Sequence, residues 1–359
     1  MIVGEAWGEE EYLLKRPFCG YPGKELFTLL GESFPDDPKS HALICMMMKN
    51  NDLWTRERET WLESASILLT NVFSFRPFNN KIDTLLVKKG EPAVSRPQYK
   101  KGNFISATYQ PHLDRLEQEI KLCKPNLILC LGATALWAVQ GLSGITSVRG
   151  AIAPTACPTG LKCLPTFHPS YILRNWSARP ILSADLLKAE RERHFPEIKR
   201  TKRRVLVYPT FSEMKEWANQ FIGKGSLTSV DIETYKGQIS DIGFSTRPDN
   251  AIVFTFINQN TNPPTRHFSN EQDEILAWTI VKNILETPDP KLFQNGLYDL
   301  QYIYKMGIRP RNCSEDTMLL HHSLYPELQK GLGFLGSIYT NEASWKLMRH
   351  NTEELKKDE

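Results

Sequence analysis

Apolar and polar residues follow strand and helix periods in turn along the first half of the chain. Short apolar runs predict strands at Met1–Val3, Ile67–Phe73, Leu127–Leu131 and Lys162–Phe167. Apolar residues at helical spacing predict a helix at Tyr109–Cys123, whose apolar face comprises Leu113, Leu116 and Ile120. Because strands and helices alternate, we predict an α/β fold with a parallel sheet between two layers of helices.

The second half has a different order of elements. Strands are predicted at Val205–Tyr208, Leu227–Ile232, Ile239–Ser245, Ala251–Phe256 and Lys291–Gln294. Helices are predicted at Phe211–Phe221 and Asn270–Leu285, and from Asp299 and Asp316. A group of neighbouring strands followed by helices predicts an α+β or mixed-sheet domain.

Length and composition favour a soluble protein of two domains. The 359 residues are too many for one typical core, and the contents of 41% hydrophobic and 24% charged residues are ordinary. We predict a first domain over residues 1–193, a basic linker over 194–206 and a second domain over 207–359. The linker, with five basic residues between Lys199 and Arg204, predicts either a solvated connector or a strap that contacts phosphates.

Charge and cysteine content limit the classes of function. The net charge of +3 is too mild to argue for nucleic acid by itself. None of the seven cysteines forms a CxxC pair, which disfavours a local zinc or iron–sulfur clasp. An odd cysteine count without a secretory leader favours a cytoplasm, the host's if the chain is phage-encoded. No apolar run reaches membrane-spanning length, so no membrane partner is expected.

Polar and aromatic residues cluster near the ends of the predicted strands in the first domain. Glu5 follows the first strand, Asn71 lies in the second, and His168 follows the fourth. Because parallel sheets bind ligands at the carboxyl ends of their strands, we expect these side chains to face one crevice, joined by Phe18. A carboxylate, an amide, a histidine and an aromatic ring can hold a flipped base and cut its glycosidic bond.

Each of these residues also has a structural interpretation. A lone histidine such as His168 is more often structural than catalytic, and Phe18 alone is more typical of a core. The run Glu9–Glu11 alone predicts a solvated acidic turn. The ordered set is more specific than its members.

The ordered set resembles the uracil-DNA glycosylase superfamily, nearest to its family 4, over about residues 1–190. The matching segments are Gly4-Glu5-Ala6-x-Gly8-Glu9, Pro17-Phe18-x-Gly20-x-x-Gly23, Thr70-Asn71-Val72, Arg76-Pro77, Asn80, Leu131-Gly132-Ala133, Arg149-Gly150 and His168-Pro169-Ser170-Tyr171-Ile172-Leu173-Arg174.

The resemblance implies a role for each residue of the pocket. Glu5 would position or activate water near C1′ of the sugar, and Phe18 would stack on uracil. Asn71 would hydrogen-bond the uracil edge, and His168 would stabilise the charge that grows on O2. Substrate contacts are also implied for Asn80 and for Ile172 or Leu173, one of which would wedge into the vacated base stack.

The chain departs from the family pattern at two places. Trp7 stands where the family has proline, which predicts a reshaped pocket floor. The family-4 iron–sulfur cysteines are missing, since Phe75-Arg76-Pro77 replaces Cys-Arg-Pro and no CxxC segment precedes it. We therefore expect no iron–sulfur cluster. An inactive, uracil-sensing or purely structural first domain stays an alternative.

Carboxylates in the second domain predict a metal site. Asp231 and Glu233 lie two residues apart in a predicted strand, so both side chains share one face. Asn295 and Asp299 follow a later strand, and Asp299 opens a helix that can turn it towards Asp231. Such hard oxygen ligands suit Mg²⁺ or Mn²⁺, and a pair of these ions can cleave a phosphodiester.

This second set resembles the 3′–5′ proofreading exonuclease of family A DNA polymerases, of the RNase H-like (DnaQ) group, over about residues 205–345. Further matching segments are Lys291–Gln294, Glu315–Leu320, Leu324–Leu328 and Lys330–Leu335, the last two being similar to bacteriophage versions. The resemblance implies that Asp231 bridges two metals, Glu233 holds one, Asp299 acts through the second, and Asn295 contacts substrate.

The last motif of that family, Tyr-x-x-x-Asp, is not found, because Asp358 has Glu354 four residues before it. The chain is therefore expected to be an incomplete exonuclease.

Our first interpretation of the whole chain is the N-terminal part of a phage-type family A polymerase, acting on uracil-containing DNA and single-stranded 3′ ends, with a polymerase domain or subunit as partner. The alternatives are a free-standing uracil-excising and end-trimming enzyme, and a non-catalytic DNA-binding or uracil-sensing module. His321 and His322 are interpreted as helix residues.

Overall fold

The computed structural model of this chain describes residues 1–33, 60 and 62–342. These residues form two compact units, the first comprising Met1–Lys199 and the residues from Gly333 onwards, the second Arg200–Leu332. The division falls inside the predicted linker. The sequence places the residues after Leu332 in the second domain, whereas the structure groups the described ones, 333–342, with the first unit.

The first unit is built on a five-stranded sheet. Its strands and those of a separate hairpin are β1 (Ile2–Ala6), β2 (Leu69–Phe73), β3 (Leu86–Lys88), β4 (Asn103–Ile105), β5 (Ile128–Leu131), β6 (Ala153–Ala156) and β7 (Thr159–Thr166). The strand order in the sheet is β2-β1-β5-β7-β6. Strands β2, β1, β5 and β7 run parallel to one another, whereas β6 pairs antiparallel with β7 at the edge of the sheet. The predicted parallel α/β sheet is thereby confirmed.

Helices cover both faces of this sheet. They are α1 (Glu9–Leu14), α2 (Tyr21–Ser33), α3 (Gln110–Cys123), α4 (Gly132–Gln140), α5 (Ile145–Val148), α6 (Pro169–Arg174) and α7 (Arg179–Glu192). Ile2 packs in the core formed with α2 and α7, and the next residue, Val3, packs in the core formed with α3 and α4. Because successive strand residues point to opposite faces, the sheet carries a core on each side.

Helix α3 shows how far local periodicity determines an element. It coincides with the predicted Tyr109–Cys123 to within one residue, and the predicted face of Leu113, Leu116 and Ile120 is buried. The helix ends at Lys124, which takes the left-handed conformation with φ 43° and donates its amide to the carbonyl of Ile120.

The second unit contains a six-stranded sheet. Its strands and a short hairpin are β8 (Arg204–Val207), β9 (Thr228–Tyr235), β10 (Gln238–Arg247), β11 (Asn250–Thr255), β12 (Ile257–Asn258), β13 (Thr265–Arg266), β14 (Lys291–Phe293) and β15 (Glu315–Asp316). The strand order in the sheet is β15-β14-β9-β10-β11-β8. Strands β9, β10 and β11 are antiparallel, and β14, β15 and β8 are added in parallel. The predicted mixed sheet is confirmed.

The helices of this unit are α8 (Phe211–Phe221), α9 (Glu271–Glu286), α10 (Leu297–Lys305) and α11 (Thr317–Leu324). Helix α8 begins where it is predicted because Thr210 and Glu213 form a capping box. His321 and His322 lie in α11, as predicted. Helix α12 (Leu332–Tyr339) belongs, apart from its first residue, to the first unit. Within the described ranges no helix has both the length and the apolar content to cross a membrane.

Candidate active site

Phe18 lies close to two other predicted site residues, Asn71 and His168, near the carboxyl end of the first sheet. The rings of Phe18 and His168 face each other, with centroids 6.2 Å apart and planes 23° apart. Asn71 and Phe18 both approach Gly4, where a Cβ would lie 2.3 Å from Asn71 Oδ1 and 2.5 Å from Phe18 Cζ. Only glycine leaves room for both side chains at this position.

The loop that carries Phe18 is held from two sides. Phe18 has a φ of 57°, which is uncommon for a residue with a side chain. Gly23 lies so close beneath it that a Cβ there would be 1.9 Å from the carbonyl oxygen of Phe18. On the other side, the carboxylate of Glu11 accepts a hydrogen bond of 3.0 Å from the amide of Gly20. These contacts hold the backbone of the loop that carries the ring.

Glu11 is a site residue that sequence reasoning missed. The run Glu9–Glu11 predicts a solvated turn, and Glu9 and Glu10 are indeed exposed, but Glu11 is buried. Its partner Gly20 lies nine residues further along the chain. Nothing in a run of three glutamates distinguishes the one that meets this loop.

His168 forms the opposite wall and caps α6. Its Nδ1 accepts a hydrogen bond of 3.1 Å from the amide of Ser170, and Ser170 Oγ lies 2.8 Å from the same nitrogen. Burial, together with the charge of Arg174, lowers the pKa of His168 to about 4, so the ring is neutral near pH 7. Since Nδ1 accepts, the single ring proton resides on Nε2. Gly132, with φ +86°, leaves space for His168, because a Cβ at position 132 would lie only 3.0 Å from the Cβ of His168.

Glu5 is engaged by a hydroxyl that the sequence did not single out. Thr134 donates a hydrogen bond of 2.5 Å to Glu5 Oε2, and the hydroxyl of Tyr99 lies 2.8 Å from Thr134 Oγ1. Burial raises the pKa of Glu5, and the hydrogen bond from Thr134 opposes that rise. Thr134 follows the matching segment Leu131-Gly132-Ala133 directly, and that proximity was the available signal.

Asn71 is positioned through the backbone of β2. It pairs with Gly4 across the parallel strands β1 and β2. The guanidinium of Arg115 donates to the carbonyls of Asn71, at 2.5 Å, and of Val72, at 3.0 Å, while Glu119 balances its charge. The carboxyl end of β2 is thereby tied to α3.

The structure corrects one predicted substrate contact. Ile172 has 0% exposure and packs in the core beneath α6, so its prediction as the wedge residue is wrong. The turn of α6 instead presents Leu173, which is 46% exposed. Asn80 lies in an exposed turn, where its Oδ1 accepts a hydrogen bond of 2.8 Å from Arg76.

The carboxylates of the second unit lie around β9. Asp231 and Glu233 share the exposed face of that strand, as their spacing predicts. Asp299 of α10 is buried and accepts a hydrogen bond of 3.0 Å from the amide of Ile232. Burial raises the pKa of Asp299 to about 6, partly opposed by that hydrogen bond and reinforced by Asp231. Burial and the neighbouring Glu233 also raise the pKa of Asp231.

A further carboxylate organises the turn before α10. Asp316 accepts hydrogen bonds from the amides of Asn295, at 3.2 Å, and Gly296, at 2.8 Å. The same side chain caps α11 through the amide of Met318 at 2.8 Å. Asn295 takes a φ of 61°, so this turn depends on the backbone contacts of Asp316.

In the part of the chain that the structure describes, no group of three or more His, Cys, Asp and Glu side chains is arranged to hold a metal ion. The donor atoms of Asp231, Glu233 and Asp299 suit Mg²⁺ or Mn²⁺ in their chemistry, but their present arrangement is not a metal site. The predicted metal binding therefore stays a prediction. Glu354 and Asp358, which decide the missing exonuclease motif, lie outside the described residues.

The described cysteines do not gather into a cluster site either, and Cys45 lies outside the described residues. Phe75, at the position of the family's cysteine, stacks on Tyr109 with centroids 5.5 Å apart and planes 12° apart. The ring of His112 lies 4.9 Å from that of Phe75. These residues do not fit an iron–sulfur cluster, and the expectation of none stays a prediction.

Comparison with known proteins places the first unit in a family. Residues 1–197 match the family described as the Uracil DNA glycosylase superfamily. The type-4 uracil-DNA glycosylase of Thermotoga maritima is 32% identical over 194 residues, which cover 53% of this chain and 75% of that protein. That of Sulfurisphaera tokodaii is 28% identical over 194 residues, covering 52% and 67% respectively. The chain therefore belongs, through its first unit, to the uracil-DNA glycosylase superfamily.

Proposed function

We propose that the first unit excises uracil from DNA in a DNA repair role. The observation that carries this proposal is the position of Phe18, whose ring faces that of His168 and which meets Asn71 at Gly4. Its setting in a chain similar to type-4 uracil-DNA glycosylases supports the same activity.

Recognition follows from the chemistry of the pocket walls. The ring of Phe18 offers a stacking face to a flipped base. The amide of Asn71 both donates and accepts, so it can pair with the adjacent N–H and C=O of a uracil edge. A cytosine presents a different donor and acceptor pattern at that edge, which gives the pocket a basis for selection.

Cleavage breaks the bond between C1′ of the sugar and N1 of uracil. The bonding electrons leave with the base, and the Nε2–H of neutral His168 donates to O2, where charge develops. Glu5 takes a proton from the water that attacks C1′. Because the pKa of His168 is about 4, this donor does not titrate near neutral pH. We therefore expect that titration of His168 does not change the rate of uracil excision between about pH 6 and 8.

The proposal is tested with 5′-labelled single strands that carry one uracil or, as the matched control, one cytosine. After incubation with the protein in EDTA and treatment with alkali, we expect one cut at uracil and none at cytosine. EDTA is included because the proposed step uses side chains only, and it suppresses any metal-dependent nuclease. Uncut uracil strands, with folded protein bound to them, would contradict the proposal.

We expect Leu173 and Ile172 to have separate roles, although they are neighbours. Leu173→Ala should slow excision from duplex DNA more than from single strands, because only a duplex needs a wedge to replace the flipped base. Its melting temperature should stay close to that of the wild type, since Leu173 is half-exposed. Ile172→Ala, the matched control in the core, should lower the stability by about 2–5 kcal/mol. If Leu173→Ala slows excision from duplex DNA and from single strands by the same factor relative to the wild type, Leu173 is not the wedge residue.

We propose as a second activity that the second unit is a metal-dependent 3′–5′ exonuclease of the family A polymerase type. Three carboxylates favour it, because burial raises the pKa values of Asp231 and Asp299, Glu233 raises that of Asp231 further, and Asp231 raises that of Asp299 further. A bound divalent cation would relieve that repulsion. Asp231, Glu233 and Asp299 would hold Mg²⁺ or Mn²⁺, which supplies an activated water for phosphodiester cleavage. A phage-type polymerase domain or subunit is the partner that this activity implies.

Asp231→Ala should abolish Mn²⁺-dependent shortening of single strands from the 3′ end. It should also weaken Mn²⁺ binding, measured by electron paramagnetic resonance, by about 1.4 kcal/mol or more, which is tenfold in the dissociation constant. The control is Asp249→Ala, which removes an exposed carboxylate of the same unit from the turn after β10. Wild-type Mn²⁺ binding and shortening in Asp231→Ala would exclude Asp231 from a metal site.

A further inference from the structure

A chain of two hydroxyls stands behind the carboxylate of Glu5. The hydroxyl of Tyr99 lies 2.8 Å from Thr134 Oγ1, and Thr134 Oγ1 lies 2.5 Å from Glu5 Oε2. Thr134 is fully buried at the start of α4, and Tyr99 is half-buried. The mechanism proposed above uses neither residue.

The direction of these hydrogen bonds follows from the number of protons available. An ionised carboxylate only accepts, so Thr134 must donate its single hydroxyl proton to Glu5. Thr134 can then only accept from Tyr99, which must donate. The three groups thus form one ordered relay that ends on Oε2 of Glu5.

Tyr99, at the far end of the relay, is held in place by packing and by backbone hydrogen bonding. The ring of Tyr99 meets that of Trp137 edge-on, with centroids 5.5 Å apart and planes 85° apart. The indole N–H of Trp137 donates a hydrogen bond of 2.8 Å to the carbonyl of Pro97. The backbone amide of Tyr99 donates to the carbonyl of Asn103 at 2.9 Å. Because these contacts hold Tyr99 in place, its hydroxyl orients that of Thr134 through their hydrogen bond.

We propose that Thr134 is a positioning residue for uracil excision, and that Tyr99 orients it. By occupying Oε2, the Thr134 hydroxyl fixes the carboxylate plane of Glu5 and presents Oε1 to the attacking water. This inference rests on the proposed glycosylase function and adds to it two residues on which the competence of Glu5 depends.

The charges around Glu5 set the expected pH dependence. Burial raises the pKa of Glu5 most, and Asp83 raises it further, whereas Lys100 and Arg174 lower it. The hydrogen bond from Thr134 is the largest influence that lowers this pKa. Glu5 acts while ionised, so excision is lost as the pH falls through this pKa. Removing the Thr134 hydroxyl raises the pKa, so the loss begins at a higher pH.

The test compares Thr134→Val, which keeps the shape and removes the hydroxyl, with the conservative Thr134→Ser and with Tyr99→Phe. We expect Thr134→Val to lower kcat by about 10- to 100-fold, less than the roughly 10²- to 10⁴-fold of a complete acid–base contribution because Glu5 itself is kept, with little change in KM. Its acid limb in the pH–rate profile should move to higher pH. Thr134→Ser should restore both properties. Tyr99→Phe should have a smaller effect, because Thr134 still donates to Glu5.

A second readout does not depend on turnover. In protein labelled with ¹³C at glutamate carboxyl groups, the titration of Glu5 should shift to higher pH in Thr134→Val and return in Thr134→Ser. The control is Thr279→Val in the second unit, whose hydroxyl bonds only to a helix carbonyl. An unchanged Glu5 titration in Thr134→Val overturns the relay. A wild type that titrates as expected but releases no uracil overturns the proposed function instead.

Discussion

Replacing His168 with alanine is expected to slow uracil release by about 10²- to 10³-fold, the usual effect of removing one donor to a developing oxyanion. Burial keeps the imidazole neutral, and the hydrogen bond to Nδ1 from Ser170 leaves its proton on Nε2. The substitution removes that donor while the other pocket walls remain. Affinity for uracil-containing DNA should therefore change little, and single-turnover rates with separate binding measurements check both expectations.

His168 also caps α6, so the control must separate capping from chemistry. His168→Asn supplies a side-chain oxygen that can accept from the amide of Ser170, and asparagine is a favoured N-cap residue. It lacks the imidazole Nε2–H. A fall in rate equal to that of His168→Ala assigns the loss to the missing donor. Since the amide of asparagine also carries donors, recovery of the wild-type rate in His168→Asn would contradict a role specific to the imidazole Nε2–H.

Gly4→Ala is expected to reduce excision by about 10²-fold, although it adds one methyl group. That methyl would lie 2.3 Å from Asn71 Oδ1 and 2.5 Å from Phe18 Cζ, so both side chains must move. A displacement of about 1 Å in a site that orients its substrate can cost this much in rate. The overpacked pocket should also lose about 1–3 kcal/mol of stability. Measurements of kcat/KM and of the melting temperature check the two effects.

The chain offers a matched glycine for this experiment. Gly243 lies inside β10, and the nearest atom to a Cβ there would be 3.8 Å away, which is an ordinary contact. Gly243→Ala should therefore leave excision unchanged. If Gly4→Ala keeps the wild-type kcat/KM, the pocket is not built around the approach of Asn71 and Phe18 to Gly4.

Elements whose signals are local were predictable from the sequence. Helices α3 and α8 were found through their apolar spacing. The expectation that Glu5, Asn71 and His168 face one crevice rests on the rule that parallel strands bind ligands at their carboxyl ends, and it stays a prediction. The alternation of β9 placed Asp231 and Glu233 on one exposed face.

Partners far apart in the sequence were not predictable. Thr134 is 129 residues from Glu5, and no pattern within α4 marks the one hydroxyl that reaches a carboxylate of β1. Helix α6 has six residues, too few for a period to show that Ile172 faces the core and Leu173 faces outwards. The grouping of residues 333–342 with the first unit likewise depends on contacts between residues far apart in the sequence. Lys188 of α7, for example, donates to the carbonyls of Gly150 and Thr340.

The most direct test of uracil excision is the amount of free base that the protein releases. Uracil-containing single-stranded DNA is incubated in EDTA with the wild type, His168→Ala or His168→Asn, and the released uracil is measured by liquid chromatography and mass spectrometry. We predict release by the wild type up to one uracil per site, and release slowed by about 10²- to 10³-fold in both variants. DNA binding by a folded wild type without any release of uracil would contradict the assignment of this pocket to uracil excision.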